Sequence, residues 1–146
     1  MEETRIFVGR KTVSLIDQMV NQNVWAVVGA NNNRDKFGYK IYKFMLNAGY
    51  KVYPVNPGLE EVAGNKCYPS LRDLPVKPDV VDIVVPPKVG EQVMRDCAEI
   101  GIKNVWLQPG ADSEQVVKTA EDLGLNVVRA CILVEARKYG RGLDLA

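Results

Sequence analysis

Residues 24–58 read VWAVVGANNNRDKFGYKIYKFMLNAGYKVYPVNPG, a strand, a turn-rich loop, a helix and a second strand in succession. Val24–Val28 is an unbroken apolar run, the pattern of a strand buried on both faces. Gly29 ends it, and Asn31, Asn32 and Asn33 favour a turn because their amides bond to nearby backbone. Residues 39–48 have helical length and stop at Gly49, a natural residue just past a helix end; Lys51–Val55 is the next strand. A strand–helix–strand unit of this kind implies parallel pairing and a right-handed crossover. Its first loop delivers backbone N–H groups and the positive end of a helix dipole, an arrangement suited to an anion.

The alternation continues along the chain. Residues 80–85 (VVDIVV) form a buried strand halted by Pro86-Pro87. Residues 88–100 carry Val89, Val93, Cys97 and Ile100 at helical spacing and end at Gly101. Residues 105–108 are the fourth strand, followed by Pro109-Gly110. Asp112 or Ser113 then caps a helix whose Val116, Val117, Ala120 and Leu123 face the core, and residues 126–130 are the fifth strand. Between the second and third strands lie residues 59–62, a Gly64-Asn65 turn and a brief helix over residues 71–74 capped by Ser70. The pattern predicts a single α/β domain, a Rossmann-like doubly wound sheet of about five parallel strands flanked by helices. The expected spatial order is third, second, first, fourth, fifth. The domain is placed at residues 24–138. An N-terminal helical extension (1–23) precedes it, with Thr12 as cap and Leu15, Ile16, Met19 and Val20 on one face, and a frayed tail (139–146) follows.

Composition narrows the function. The 146 residues, 47% apolar and 25% charged, suit one globular core. The net charge is +1 with no basic stripe, so nucleic acid has no electrostatic support as a partner. No apolar run approaches the roughly 18 residues of a spanning helix, and MEETRIFVGRK lacks a signal peptide's apolar stretch, so the expectation is a cytoplasmic protein without a membrane partner. Cys67, Cys97 and Cys131 are odd in number and widely spaced, as reduced thiols are, and no CxxC pair suggests zinc. Histidine is absent, which removes the commonest general base, the commonest metal ligand and any Ser-His or Cys-His pair. No pair of carboxylates stands out instead. No catalytic residue and no metal ligand is assigned, and the reading is of a binding protein rather than an autonomous enzyme.

Ligands of open α/β sheets bind beyond the carboxyl ends of the strands, at the topological switch point. Four strand ends bring Gly29-Ala30-Asn31, Val55-Asn56-Pro57-Gly58, Val85-Pro86-Pro87 and Leu107-Gln108-Pro109-Gly110 to one rim. Three of these clusters contain proline, which fixes the backbone and presents a flat apolar ring, so the expected slot is apolar with few polar groups. Arg34 and Lys36 offer charge to a phosphate, and Phe37 is placed to stack on a base. The dinucleotide signature Gly-x-Gly-x-x-Gly is missing: the loop has only Gly29 and Gly38, and the second strand ends in Asn56-Pro57 where a ribose-binding carboxylate would stand.

Taken in order, GANNNRDKFGYKI, VYPVNPGLEE, YPSLRDLP, DIVVPP, NVWLQPGA and the closing Cys131…Glu135 resemble the stand-alone coenzyme A-binding domain proteins. That small Rossmann-like family is similar to the N-terminal domain of the succinyl-CoA synthetase α-subunit. The resemblance covers nearly everything from Val24 to Glu135. It implies coenzyme A as the cofactor, with its phosphates wrapped by residues 29–38, among them Gly29, Ala30, Asn31, Asn32, Asn33, Lys36 and Phe37. It further implies contacts from Asn56 and Pro57, from Val85, Pro86 and Pro87 against adenine or pantetheine, and from Gln108 and Gly110. The synthetase has a lysine shortly beyond the proline matched by Pro57, where this chain has Leu59, and an acidic residue where this chain has Pro109. The synthetase's phosphorylated histidine and the domain that carries it have no counterpart here. The implied function is therefore a module that binds coenzyme A or an acyl-CoA without ligase chemistry. Two other readings stay open: a small NAD(P)-dependent oxidoreductase using the same crevice, and an interaction subunit of a separate CoA-using enzyme. Cys131, just past the fifth strand, is either a packed thiol or a partner for the coenzyme's own thiol, with Arg129 and Arg137 as the cations nearest in sequence. Cys97, Trp25 and Trp106 are read as packing.

Overall fold

The apolar runs become the strands of one parallel sheet, and the amphipathic segments become the helices on its two faces. The computed structural model describes residues 5–8 and 11–141. The elements are β1 (Arg5–Val8), β2 (Lys11–Ser14), α1 (Leu15–Val20), β3 (Val24–Val28), α2 (Phe37–Asn47), β4 (Lys51–Val55), β5 (Glu61–Val62) and β6 (Asn65–Lys66). A 3-10 turn (Leu71–Asp73) leads on to β7 (Val80–Ile83), α3 (Pro87–Ile100), β8 (Asn104–Leu107), α4 (Glu114–Asp122), β9 (Asn126–Arg129) and α5 (Ile132–Lys138).

The five-stranded sheet has the order β4-β3-β7-β8-β9, every pair parallel. This corrects the expected order, because the third sheet strand pairs with the first and the second lies at the edge. Pro54 explains the difference. Its carbonyl accepts the Tyr68 N–H (3.0 Å) on the outer side of β4. A residue's N and O point the same way from a strand, so the N–H that proline lacks would also have faced outward. Proline thus restricts β4 to the edge, where Tyr68 covers it in a single parallel bridge to Val55. β7, with its full set of N–H groups, takes the inner place, from Trp25↔Val80 to Val28↔Ile83. The switch point therefore lies between β3 and β7.

Side chains alternate between two cores, as the period of a strand requires. Trp25, Val27, Val80 and Trp106 enter one layer with α1, α2 and α5; Ala26, Val81, Ile83 and Leu107 enter the other with α3 and α4. Trp25 and Trp106 are fully buried with ring centroids 5.7 Å apart, the packing role expected of them. Each indole N–H is satisfied, by the Gln22 and Ala130 carbonyls respectively.

The ends of the chain differ from expectation. Residues 5–8 and 11–14 form an antiparallel pair, so the extension before residue 24 is part strand. Ile6, Phe7, Val8, Thr12 and Val13 are strand formers and outweigh the helical reading. Thr12 lies in β2, and the cap of α1 is Ser14, whose Oγ accepts the Asp17 N–H at 2.9 Å. The four apolar residues of α1 are buried as expected. α5 was not foreseen. Past it, residues 139–141 are tied down, since Arg141 N donates to Ala136 O (2.9 Å) and its guanidinium lies 4.4 Å over the Tyr50 ring. The rest of the expected tail lies outside the described residues, as do residues 1–4, 9 and 10.

Candidate functional site

All four strand-end clusters meet at the carboxyl edge of the sheet, where they bound two adjoining cavities. The first, about 440 Å³, lies between the start of α2, the Val84–Pro87 turn and the turn after β8. Asn31, Lys36, Phe37, Val85, Pro86, Pro87, Gln108, Gly110 and Cys131 all contribute to its wall, which is mostly apolar. The second, about 350 Å³, is lined by Gly29, Asn56, Pro57 and Val85 together with Ser70, Gln92 and Asp96, which the sequence reading did not place at the site. Val85 is common to both, so the two cavities flank one ridge at the β3/β7 switch point.

Two glycines allow this ridge to form. Gly29 has φ +102°, and a Cβ there would lie 2.8 Å from the Val84 carbonyl oxygen and 2.9 Å from Val85 Cγ1. Gly38 lets the first turn of α2 press on the end of β3. The first N–H groups of α2, those of Phe37 and Gly38, have no carbonyl within the helix to bond. No side chain caps this helix, since Lys36 occupies the N-cap position. The positive end of α2 therefore opens beside Lys36 on the wall of the larger cavity, an anion-binding geometry. Phe37 is the first helical residue rather than a loop residue, and it is 61% exposed at the cavity mouth.

Several residues expected at the ligand also hold the protein together. Ala30 is fully buried in the core. Asn32 donates from Nδ2 to the Glu61 carbonyl and accepts the Ala63 N–H at Oδ1, both at 2.9 Å, and so ties the loop to the β5–β6 hairpin. Asn33 accepts the Asp35 N–H (3.0 Å), and Asn31 accepts the Asn33 N–H (2.9 Å), in successive side-chain turns. Asn56 donates to the Ala30 carbonyl and accepts the Gly58 N–H, each at 2.9 Å. Its amide clamps the first loop to the second, which is why a neutral side chain stands where a dinucleotide site would place an acid.

Gln108 also faces inward. The residue is 3% exposed; Nε2 donates to Asp82 Oδ1 at 2.8 Å and Oε1 accepts the Ile132 N–H at 3.3 Å. Asp82, in the middle of β7, is completely buried, and burial pushes its carboxyl up to about 8, with the Gln108 bond opposing the shift. The sequence signal for it was present: one carboxylate inside the apolar run VVDIVV.

The three thiols have different surroundings. Cys97 is packed within α3, and burial pushes it up to about 12. Cys67 is buried beneath β4's outer edge and also raised. Cys131 is partly exposed on the wall of the larger cavity. Neither arginine named for it is free: Arg129 binds Asp112 (3.2 Å) and Glu114 (2.9 Å), and the Arg137 guanidinium lies 5.2 Å over Phe44. Among the described residues no cluster of three or more His, Cys, Asp or Glu could hold a metal, and no helix is long and apolar enough to cross a membrane.

Comparison with known proteins shows the family. Residues 23–137 match the family described as CoA binding domain. The α-subunit of the ADP-forming acetate–CoA ligase II of Pyrococcus furiosus is 33% identical over 125 residues, which take in 78% of this chain and 27% of that subunit. The chain thus spans about a quarter of that relative's length. YneT, an uncharacterized protein of Bacillus subtilis, is 29% identical over 110 residues, covering 75% of this chain and 82% of that one. Among solved structures, a conserved hypothetical protein from Pyrococcus furiosus is similar at a TM-score of 0.73 and 45% identity, over 77% of this chain and 98% of that chain. The family match takes in the whole parallel sheet and both cavities, and the chain belongs to the CoA-binding domain family.

Proposed function

We propose that the protein is a binding module for coenzyme A or a CoA thioester, held at the carboxyl edge of the sheet without ligase chemistry of its own. The observation that carries this reading is the pair of cavities sharing Val85 beside the uncapped start of α2. A long ligand with an anionic middle fits that layout. Its pyrophosphate would lie at residues 29–38, against the first N–H groups of α2 and Lys36, while its two ends occupy the apolar cavities. The proline-fixed turns at Val85–Pro87 and Pro109 limit the ordering that binding requires. These 146 residues contain no histidine, the commonest general base, which favours binding over catalysis by this domain itself.

Native mass spectrometry of freshly purified protein tests the ligand directly, by the mass of any bound species. Calorimetry with coenzyme A and NAD tests the selectivity: coenzyme A should bind and NAD far more weakly. Equal affinity for the two would overturn the reading. Hydrogen exchange at Val85, Lys88 and Gln108 should slow on adding coenzyme A, whereas protection confined to the N-terminal ends of the strands would place the site elsewhere.

A further inference from the structure

A carboxyl in the middle of an apolar strand is costly to bury unless it is hydrogen-bonded, and more so if ionised. Asp82 is flanked in the sheet by Val27 of β3 and Trp106 of β8. It shares a face of β7 with Val80 and so belongs to the layer under α1, α2 and α5. α1 buries Leu15, Ile16, Met19 and Val20, and its Gln18 also has a buried side-chain oxygen without a partner. The titratable and charged groups on that layer are Tyr42 of α2, Tyr50 with Arg141 over its ring, Cys67, and on α5 Glu135, which pairs with Lys138 at 3.2 Å, and Arg137 over Phe44. Among the described residues no charged side chain pairs with Asp82; its Oδ1 accepts from Gln108, and its Oδ2 is buried without a partner.

Gln108 has one amide to satisfy two groups. With Nε2 donating to Asp82, Oε1 is turned to accept the Ile132 N–H, the first N–H of α5. Ile132 follows Cys131 directly, and both Gln108 and Cys131 stand on the wall of the larger cavity. If Asp82 offered no acceptor, the amide could turn over and present an NH₂ to the Ile132 N–H, which would set two donors against each other.

We propose that Asp82 is a positioning residue for this cavity, setting the Cys131 wall through Gln108 and the first turn of α5. The neutral carboxyl does this. Ionised, it would leave a charge in an apolar layer with one oxygen unpartnered, and the layer is relieved most readily by admitting water on the cavity side, past Gln108. Burial places that change near pH 8. The part of this inference that concerns the coenzyme rests on the coenzyme A reading; the part that concerns the wall does not.

The test compares the wild type with Asp82→Asn between pH 7 and about 9.5. Asparagine keeps the acceptor for Gln108 and cannot ionise. Coenzyme A affinity, by calorimetry, should match at pH 7 and then fall for the wild type alone, about tenfold relative to the variant at the top of the range. The ligand's own titration is common to both proteins and cancels in the ratio. Alkylation of Cys131 in the ligand-free protein, mapped by mass, should run faster in the wild type than in the variant above pH 8 and equally below it. Asp82→Val, if it folds, should show the fast alkylation at every pH. Parallel pH profiles for wild type and Asp82→Asn in alkylation would overturn the proposal. Absence of coenzyme A binding to the wild type, with the alkylation difference intact, would overturn the ligand reading and leave the positioning role standing.

Discussion

Gly38, the second residue of α2, is pressed against the carbonyl of Gly29 at the end of β3: a Cβ built on Gly38 would overlap that oxygen and lie 2.8 Å from Asn31 Nδ2. The overlapping atom belongs to the backbone, so no side-chain rotation relieves it. Replacing Gly38 by Ala should therefore destabilise the protein by about 1–3 kcal/mol, the usual cost of overpacking. The gain in helix propensity, up to about 1 kcal/mol, offsets only part of this. Urea denaturation checks the prediction, and an unchanged or higher midpoint would show that α2 can move away from β3 freely. The same shift should weaken coenzyme A binding, because it displaces the helix start from the cavity.

Lys36 stands at the N-cap of α2 on the cavity wall, beside helix N–H groups that no side chain caps. Lys36→Ala should weaken coenzyme A binding by about 1–3 kcal/mol if the lysine makes a charge-assisted bond to phosphate. The loss should shrink as salt is raised, since an exposed charge is screened. Calorimetry at two ionic strengths reads both effects; a salt-independent loss would point to packing of the lysine stem instead.

Asp82 gives the stability of the protein a definite pH dependence. Its folded-state pKa is raised from 3.8 to about 8, so between these values the folded protein holds a proton that the unfolded chain has released. Stability then falls as pH rises across that window and is not lowered further by this group above about pH 8. Asp82→Asn lacks the term. The difference in Tm between variant and wild type should grow in the variant's favour from pH 5 to pH 8 and then level off. A constant difference over that range would mean that Asp82 ionises in the folded protein as readily as in the unfolded one.

The fold was legible in the sequence because periodicity and punctuation agree at each sheet strand. VWAVV, VVDI and NVWL are apolar but for Asp82 and Asn104, and Gly29, Pro86 and Pro109 follow within three residues, as punctuation after buried parallel strands does. The strand order was misread, although Pro54 carried the answer: a proline in a strand places it at an edge. The site was legible as a set of strand ends, since parallel strands bring their carboxyl ends to one rim wherever they lie in sequence. What could not be read was the direction of each amide. Asn32, Asn56 and Gln108 are expected at the ligand from the sequence, which carries no sign that they also bond within the protein to partners 29, 26 and 26 residues away along the chain, at Glu61, Ala30 and Asp82. Such bonds depend on tertiary geometry alone. The cap of α1 failed for a local reason: Thr12 and Ser14 are both good caps, and the β-branched residues around Thr12 drew it into a strand.

Cys131 is the only one of the three cysteines on the wall of the larger cavity, while Cys67 and Cys97 are buried. A ligand whose pyrophosphate sits at the start of α2 and whose thiol arm enters this cavity brings two sulfurs within reach. The expected chemistry is thiol–disulfide exchange with the symmetrical disulfide of coenzyme A as the oxidised reactant. The Cys131 thiolate attacks one sulfur, the S–S bond breaks, one coenzyme becomes bonded to Sγ, and the other leaves as a thiolate that takes up a proton. Incubation with that disulfide should add one coenzyme mass to the protein, removable by reductant. Cys131→Ser should abolish the adduct while leaving the affinity for reduced coenzyme A within about twofold, because the serine hydroxyl is close in size to the thiol and the phosphate contacts are untouched. An adduct that persists in the Ser variant, or that maps to Cys67, would show that the coenzyme's thiol ends elsewhere. In that case the partial exposure of Cys131 reflects only its place at the start of α5.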